Sequence, residues 1–223
     1  MSHVELHRKA VILRKQKKSY SQIKSILGVS KSTLSDWLRA YPLTNEEINS
    51  LRSKNEVRIE KYRQTMKYKR ESKLEEYRIK SIKDMLPLSK KELMIAGLFL
   101  YWGEGNKASR HMVSINNTDP RLVKFSLFWF QHILNIPKKK IKIFVHLYTD
   151  MNIKAELAYW SKELHMPLSN FSRPYIKESF RKNIDQKGYG HGTCGILVNN
   201  TVIKDTILAN IDVIAEYYVR KLV

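Results

Sequence analysis

The stretch that most constrains the fold is an uncharged run at residues 93–103. Ser89 and Glu92 precede it in the S-x-x-E arrangement of a capping box, in which each side chain satisfies a free backbone N–H at a helix start. Glu104 follows the run directly, between Gly103 and Gly105. This pattern predicts a helix that carries a carboxylate at its C-terminal end.

The same helix presents small side chains on one face. Ala96, Leu100 and Gly103 share that face at helical spacing, and small side chains allow a second helix to approach closely. We therefore predict that these three residues form a helix–helix interface. A buried core helix that ends at a glycine C-cap explains the stretch equally well, so on these residues alone both interpretations stay open.

The chain is strongly basic. It has 41 Lys and Arg residues against 21 Asp and Glu residues, a formal net charge of +20. Such an excess of cations points to a polyanionic partner, namely DNA, RNA or an anionic membrane surface. Both halves of the chain are basic, since residues 1–90 alone hold 22 of the 41 cationic side chains. The charge is therefore not confined to one arm.

Cysteine and apolar content indicate the cellular setting. A single cysteine, Cys194, excludes an intrachain disulfide framework and favours an intracellular protein. No apolar run approaches the roughly 18 residues that a membrane span needs, and the N-terminus lacks the apolar core of a signal peptide. We expect a cytoplasmic protein, nucleoid-associated if bacterial, with no membrane partner and no small-molecule substrate.

The first forty residues predict three helices. The first covers residues 4–18 and is amphipathic. Ser21 is expected to cap the second and Ser30 the third, with Gly28 as the left-handed turn residue between them. The inward positions of the second and third helices are predicted to be Ile23, Ile26, Leu27, Leu34, Trp37 and Leu38.

The outer face of the third helix is suited to DNA. Its polar and basic residues are Lys31, Ser32, Thr33, Ser35 and Arg39. Small polar side chains can enter a major groove, and the two cations can reach phosphates. Residues 21–38 resemble the helix-turn-helix of resolvase-type and other bacterial DNA-binding proteins, which implies DNA binding. The alternative is an ordinary three-helix packing unit that touches no DNA.

A polar tract connects this segment to the rest of the chain. Thr44 and Glu47 form a second capping box, and the tract that follows continues to about Met85. Its central basic residues are Lys61, Arg63, Lys67, Lys69 and Arg70. We predict a long solvated helix that either tracks the DNA backbone or serves only as a linker. The expected regions are residues 1–42, the linker 43–87 and a C-terminal domain 88–223.

The C-terminal domain alternates between two periodicities. Strands are predicted at residues 111–117, 140–148, 172–178 and 193–199, and helices at 119–134, 150–164 and 201–218. Asp119 and Asp150 are the expected caps, and Phe128 is expected in the core. A glycine-rich basic loop at residues 182–192 is expected to be mobile or to contact a ligand. The order predicts an α+β domain whose sheet is covered by helices on one face only.

The strand at residues 140–148 has two different faces. One face is apolar and is predicted to meet the core: Ile141, Ile143, Val145 and Leu147. The other mixes cations, aromatic rings and a histidine: Lys140, Lys142, Phe144, His146 and Tyr148. A sheet surface that lies on nucleic acid has this character. A solvated sheet face accounts for the lysines but poorly for the rings.

Residues 89–219 resemble the LAGLIDADG homing-endonuclease family. The resemblance rests on residues 93–107, on S-I-N-N-T-D-P-R-L-V-K-F at 114–125 and on G-T-C-G-I-L-V-N-N-T at 192–201. Residues 97–105 correspond to the nine-residue motif, so that Gly103, Glu104 and Gly105 match its final Ala-Asp-Gly. The sequence departs from the motif at Phe99 and Trp102, whose bulk could weaken a helix–helix contact.

The resemblance implies a fold, a metal and a mode of action. Two motif helices pack together, from two protomers when a chain has one motif, and the sheet lies along the major groove of double-stranded DNA. The acidic residue near the motif's end binds Mg²⁺ at the scissile phosphates. The implied residues are Glu104 and Gly105 for the metal, Glu104 and Lys107 for catalysis, Ala96, Leu100 and Gly103 for the homodimer, and Asn116, Lys140, Lys142, His146 and Tyr148 for DNA.

Three functions remain open from the sequence. The first is a site-specific, Mg²⁺-dependent DNA endonuclease that works as a homodimer through residues 90–104. The second is a DNA-binding regulator that has the same fold but does not cut, favoured by the fused helix-turn-helix and by the altered motif. The third, a structural RNA-binding protein, is weaker because the chain lacks an ordered RNA-recognition signature. The seven histidines and Cys194 do not have the spacing of a zinc cluster, so the sequence does not support a zinc site.

Overall fold

The computed structural model describes residues 3–51, 54–180 and 190–222. The chain is a mixed α+β protein whose contacts divide it into an N-terminal unit, Met1–Leu86, and a C-terminal unit, Pro87–Val223. Within the described residues, the N-terminal unit contains helices and their connecting turns but no strand, and the C-terminal unit contains a four-stranded sheet. None of the described helices is both long enough and apolar enough to cross a membrane.

Five helices form the regular secondary structure in the described part of the N-terminal unit. Their bounds are α1 His3–Lys15, α2 Tyr20–Leu27, α3 Lys31–Trp37, α4 Asn45–Asn49 and α5 Lys54–Met85. The first three helices surround a small core of buried side chains: Ala10, Tyr20, Ile23, Leu34 and Leu38. This core accounts for the short lengths of α2 and α3, since each helix contributes only one or two fully buried positions.

The turn between α2 and α3 follows the sequence prediction in part. Gly28 has a φ of 68° in the left-handed region, and Ser30 caps α3 through a bond from the Thr33 N–H, so both predictions are confirmed. The predicted cap Ser21 is wrong. Ser19 caps α2 instead, in a complete capping box with Gln22, which starts the helix one residue before Ser21.

Two predicted core positions in α2 and α3 are more exposed than expected. Ile26 was predicted to be buried, but it is 56% exposed, so that prediction is wrong. Trp37 is half-buried rather than buried and packs edge-on against the rings of His3 and His7 in α1, 4.8 Å and 5.2 Å between centroids.

The long helix α5 is tied to the first three helices at its N-terminal end. Thr44 and Glu47 form the predicted capping box, but it opens only the short helix α4. In α5, the carboxylate of Glu60 accepts two bonds from Arg14, at 3.0 Å and 3.3 Å. Both residues are 3% exposed. Removing one partner of a buried pair of this kind costs about 3–5 kcal/mol, so the start of α5 is an integral part of the N-terminal unit.

The described residues of the C-terminal unit form four longer helices and four strands. The helices are α6 Lys90–Glu104, α7 Pro120–Phe128, α8 Ile153–Leu164 and α9 Thr201–Val219. The strands are β1 Met112–Asn117, β2 Lys142–Tyr148, β3 Tyr175–Lys177 and β4 Thr193–Asn199. Short turns of other geometry lie at Trp129–Ile133, Lys138–Lys140 and Leu168–Asn170.

The sheet has the strand order β1-β4-β2-β3. β4 pairs antiparallel with β1 and β2, and β2 pairs parallel with β3. The register places Ile115 opposite Ile196 and Ile196 opposite Ile143. All three are fully buried, so this row marks the face that meets the core. The predicted inward positions of β2 are likewise 0–1% exposed and are confirmed.

The remaining sheet positions form a second surface, here called the basic-aromatic face. Because side chains alternate along a strand, the register assigns to it Ser114 and Asn116 of β1, Thr193, Gly195 and Leu197 of β4, Lys142, Phe144, His146 and Tyr148 of β2, and Tyr175 and Lys177 of β3. Lys142 is exposed, and the rings of β2 on this face are half-buried.

Three details of the C-terminal unit differ from the sequence predictions. Asn152, not Asp150, caps α8 by accepting a bond from the Ala155 N–H. Lys140 lies in a 3-10 turn before β2, outside the strand in which it was predicted. The third strand covers only residues 175–177. The predicted glycine-rich loop at residues 182–192 falls mostly on residues 181–189, which lie outside the described residues.

The helix that begins at Pro120 changes geometry near its end. Asp119 caps it as predicted, and at Trp129 the helix widens into a π turn. Phe128, predicted to be buried, is 41% exposed, whereas Trp129 and Phe130 are both fully buried. A regular period of 3.6 residues does not anticipate such a change, because a π turn shifts every later side chain around the helix axis.

Trp129 fixes the position of α6. A Cβ atom added at Gly97 would lie 2.0 Å from atoms of the Trp129 indole ring, so the glycine is needed for the two helices to pack at this distance. The indole Nε1 is buried against this contact and has no hydrogen-bond partner. Close packing therefore outweighs the lost hydrogen bond, which is worth about 1–3 kcal/mol.

Gly97→Ala is expected to lower the free energy of unfolding of the C-terminal unit by about 1–3 kcal/mol, because the added methyl group overlaps a buried ring. Gly103→Ala is the matched control in the same helix. Nothing lies within 4 Å of an added Cβ there, so this variant should be unchanged or up to about 1 kcal/mol more stable. Urea denaturation followed by tryptophan fluorescence measures both. If Gly97→Ala and Gly103→Ala unfold at the same urea concentration, the close packing of Gly97 against Trp129 is contradicted.

Candidate nucleic-acid interface and motif carboxylate

Glu104 stands exposed at the C-terminal end of α6. Its carboxylate has no hydrogen bond or ion pair with any described residue. The next residue, Gly105, pairs antiparallel with Ile115 of β1, and the Asn106 N–H donates to the Ser114 carbonyl at 3.0 Å. Glu104 itself is the last residue of α6, so the pairing does not extend to it. The motif carboxylate therefore lies one residue before the point where the chain pairs with β1, an edge strand of the sheet.

Gly105 is buried where α6 meets β1. A Cβ atom there would lie 2.4 Å from the Tyr101 carbonyl oxygen and 2.5 Å from the Tyr101 ring. Its N–H donates to the same carbonyl at 2.8 Å. Packing alone thus accounts for this glycine, which the resemblance had paired with Glu104 at the metal.

A buried lysine holds the segment that follows Glu104. Lys204 of α9 is 1% exposed. Its amine donates to the Tyr101 hydroxyl at 2.6 Å and to the Asn106 carbonyl, and the Tyr101 hydroxyl also donates to that carbonyl. Burial lowers the pKa of Lys204, and the nearby charge of Lys107 lowers it further, against a smaller opposing effect of Asp205. Burial raises the pKa of Tyr101 to about 12.

Lys107, the predicted electrostatic stabiliser, is exposed three residues after Glu104. Its amine donates to the Trp102 carbonyl at 2.8 Å, one of the free carbonyls at the end of α6. A cation is favourable at a helix C-terminus because the helix dipole is negative there. This contact keeps a positive charge close to the motif carboxylate.

The chain's own residues offer a partial site for Mg²⁺. Within the described part of the chain, no group of three or more His, Cys, Asp or Glu side chains could hold a metal ion. Mg²⁺ commonly uses only one or two carboxylates and takes its other ligands from water and substrate phosphates. An exposed, unpaired carboxylate such as Glu104 fits that donor set, so the residues present are compatible with Mg²⁺ bound jointly with a phosphate.

The aromatic side chains of the basic-aromatic face form a continuous group. The Phe144 ring lies over Gly195, within 2.2 Å of the position of an added Cβ. His146 contacts the rings of Phe144 and Tyr175, each at 5.3 Å between centroids. The amine of Lys177 lies 5.4 Å from the centre of the Tyr148 ring. The group presents rings and cations together.

His146 lies in this group as a neutral side chain. Burial lowers its pKa, and the charge of Lys177 lowers it further. At neutral pH its ring nitrogens can therefore take part in hydrogen bonds, whereas the positive charge of the face comes from lysines. Of the predicted DNA contacts in this unit, Asn116, Lys142, His146 and Tyr148 share the face, and Lys140 precedes the strand.

In the N-terminal unit, the predicted DNA-contacting residues lie on α3 or just after it. Ser32 and Thr33 both bond the Ser30 hydroxyl, at 2.8 Å and 2.9 Å, so they line the N-terminal turn of the helix. Arg39 forms an exposed ion pair with Asp36 at 2.8 Å. Exposed pairs of this kind contribute about 0–1 kcal/mol, and Arg39 is thus available to another anion at little cost.

The outer face of α6 is more apolar than the sequence predicted. Ala96 and Leu100 are half-buried, with Leu100 packed partly against the core of its own unit, and Gly103 is exposed. Beside them, Phe99 and Trp102 are 50% and 45% exposed and touch each other, 5.7 Å between ring centroids. The predicted interface residues thus share their side of the helix with two large exposed rings, which the sequence interpretation had treated as obstacles to contact.

The sequence interpretation missed Lys204, Tyr175 and Lys177. The sequence did contain a signal for Lys204. It lies three and seven residues before the buried Ile207 and Ile211, so all three residues share one face of the helix. Tyr175 and Lys177 lie on a three-residue strand, whose parallel pairing with β2 is decided by tertiary contacts and has no local signature.

Comparisons of the chain with models of known protein families, with curated proteins and with solved structures each found no match.

The pKa of Tyr101 predicts a measurable effect at pH 11. An ordinary tyrosine is about nine-tenths ionised there, whereas one with a pKa near 12 is about one-tenth ionised. The absorbance of tyrosinate near 295 nm should thus be nearly equal for the wild type and Tyr101→Phe when both are folded. After unfolding in urea at the same pH, the wild type should show one more tyrosinate. If the folded wild type already shows one more tyrosinate than folded Tyr101→Phe at pH 11, the side chain of Tyr101 is not buried as described.

Proposed function

We propose that the chain binds double-stranded DNA and hydrolyses its phosphodiester bonds as a homodimer, with Mg²⁺ as the cofactor. The observation that supports this most is the position of Glu104. It is an unpaired carboxylate at the end of a helix with an apolar outer face. It lies one residue before the chain pairs with β1, an edge strand of the sheet that carries the basic-aromatic face. This arrangement agrees with the resemblance to the LAGLIDADG family.

The N-terminal unit supports the DNA-binding part of the proposal. Helices α2 and α3, joined through Gly28, have the succession of a helix-turn-helix, with α3 as the recognition helix. Its outer residues are Lys31, Ser32, Thr33, Ser35 and, just beyond it, Arg39. Ser32 and Ser35 would contact base edges, and the two cations would contact phosphates.

The basic-aromatic face is proposed as the second DNA contact. Two-stranded and larger β surfaces can enter the major groove. Lys142 and Lys177 would contact phosphates, and Asn116, His146 and Tyr148 would contribute hydrogen bonds. A neutral His146 can both donate and accept a hydrogen bond, which suits base edges better than phosphates.

We propose a homodimer because one chain has only one motif carboxylate. Each chain supplies one motif carboxylate, and cleavage of both strands needs two. Two α6 helices that pack through their outer faces would bring two Glu104 residues together. Ala96, Leu100 and Gly103 would permit the close approach, and burial of Phe99 and Trp102 would drive it, at about 25 cal/mol for each Å² of apolar surface removed from water.

The proposed chemistry divides among three side chains. Glu104 would hold Mg²⁺, which supplies charge neutralisation at the phosphate and activation of a water molecule. Lys107 would place a positive charge next to the phosphate as negative charge develops. Lys204 does not reach the substrate. It holds the Asn106 carbonyl and thereby the backbone between Glu104 and Lys107.

A cleavage assay tests the nuclease directly. The wild-type chain is incubated with a randomised duplex library and Mg²⁺, and the products are sequenced. Glu104→Gln is expected to lower cleavage by at least about 10²-fold, the size of effect seen when one charge-stabilising group is removed. Asp212→Asn, which makes the same charge change at an exposed position of α9, should cut like the wild type. Equal products from Glu104→Gln and the wild type, or none from either, would contradict the nuclease.

A second candidate is a DNA-binding regulator that does not cut. The observation in its favour is that, among the described residues, Glu104 belongs to no group of three or more His, Cys, Asp or Glu side chains able to hold a metal. Salt-sensitive, sequence-specific binding without cleavage in Mg²⁺ or Mn²⁺ would support it. Cleavage that disappears in Glu104→Gln would exclude it.

A further inference from the structure

A broad groove separates α3 from α5 within the N-terminal unit. Its volume is about 940 Å³. One wall is formed by Ser35, Leu38 and Arg39, and the other by residues 58–74 of α5. We propose that this groove binds the sugar-phosphate backbone of duplex DNA next to the groove that α3 enters. The inference rests on the proposed DNA binding. It assigns a DNA contact to α5, for which the sequence allowed either a DNA contact or a linker.

The α5 wall is held rigidly against the other helices. Besides the buried pair of Glu60 with Arg14, the Gln64 amide donates to the Leu43 carbonyl at 3.1 Å. The Arg63 guanidinium lies 4.0 Å from the centre of the Tyr20 ring and donates to the Lys31 carbonyl at 3.3 Å. Arg63 thus connects α5 to the first residue of α3. A fixed wall loses little entropy when it binds, which favours binding.

The groove is positively charged. Its lining contains six cations, Arg14, Arg39, Arg58, Arg63, Lys67 and Arg70, against two carboxylates, Glu60 and Glu71. Glu60 is neutralised by Arg14, and Glu71 lies 3.8 Å from Lys67 in an exposed pair. Arg70 has no ion pair with any described residue. An excess of cations over apolar walls attracts a polyanion.

The spacing of the cations suits a phosphate backbone. Arg63, Lys67 and Arg70 are four and three residues apart, so they form one row along the helix. At 1.5 Å per residue the row is roughly 10 Å long. One DNA strand carries a charge about every 3.4 Å along the duplex axis, so the row matches about three phosphates. Arg39 contributes a further cation from the α3 wall.

The position of the groove favours DNA over a separate ligand. Ser35 and Arg39 belong both to its wall and to the outer face proposed to read DNA. A duplex seated on α3 therefore brings a phosphate backbone to the cations of α5. A small anionic ligand would need only one or two of these charges and would leave the rest of the row unused.

The experiment compares two double variants of the full chain. Lys67→Ala with Arg70→Ala removes two groove cations. Lys61→Ala with Lys69→Ala is the matched control, since these lysines flank the same turns of α5 but do not line the groove. Alanine is a good helix former, so both variants should fold. Duplex binding is measured from 50 to 200 mM salt with a site selected by the wild type and with an unrelated sequence.

Each lost phosphate contact reduces the slope of log K against log salt by about 0.9. The groove variant should therefore show a slope shallower by about 1.8. Its affinity near 0.1 M salt should fall by about 10- to 60-fold, and equally on both sequences, because phosphate contacts carry no sequence information. The control should stay close to the wild type.

Three results would overturn the inference. If the groove variant keeps the slope and affinity of the control while the wild type binds DNA, the groove is not a DNA site and the proposed DNA binding stands. A loss confined to the selected sequence would also contradict a backbone contact. If the wild type binds no duplex, both the inference and the proposed function are wrong.

Discussion

Close packing at the middle of α6 and at its C-terminal end determines where the motif carboxylate lies. Gly97 allows the Trp129 ring to seat against the helix, and Gly105 allows the chain to turn tightly over Tyr101 onto β1. Lys204 then holds the segment beyond the turn through the Asn106 carbonyl. Because these contacts use the inner side of α6, they leave Phe99 and Trp102 on the outer side and Glu104 exposed at the end. The proposed homodimer and the proposed nuclease chemistry both depend on that division.

Local patterns predicted much of the fold. The alternation in β2, the capping boxes at Ser89 and Thr44 and the left-handed Gly28 depend on neighbouring residues, and the structure has all of them. The failures arise where distant residues decide. The π turn at Trp129, for example, is coupled to Gly97 more than thirty residues earlier. A sequence pattern with a fixed period cannot contain such a contact.

The candidate site shows the same limit. Glu104 and the β2 face were identified from sequence because residue type and spacing sufficed. Lys204, Tyr175 and Lys177 could not be placed next to them, since only the sheet register and the packing of α9 bring them there. The attachment of α5 through Arg14 and Glu60 is likewise a contact across 46 residues. It turns the basic tract into part of a folded unit.

The central claim is that two α6 helices bring their Glu104 residues together on DNA, and disulfide formation between copies tests it most directly. Gly103→Cys adds a thiol where nothing lies within 4 Å, and the native Cys194 is buried. Under mild oxidation with bound duplex, the account predicts a covalent dimer, and Phe128→Cys on an exposed position elsewhere should give none. A Gly103→Cys variant that binds duplex but stays monomeric under oxidation, or crosslinks no faster than Phe128→Cys, would contradict the account.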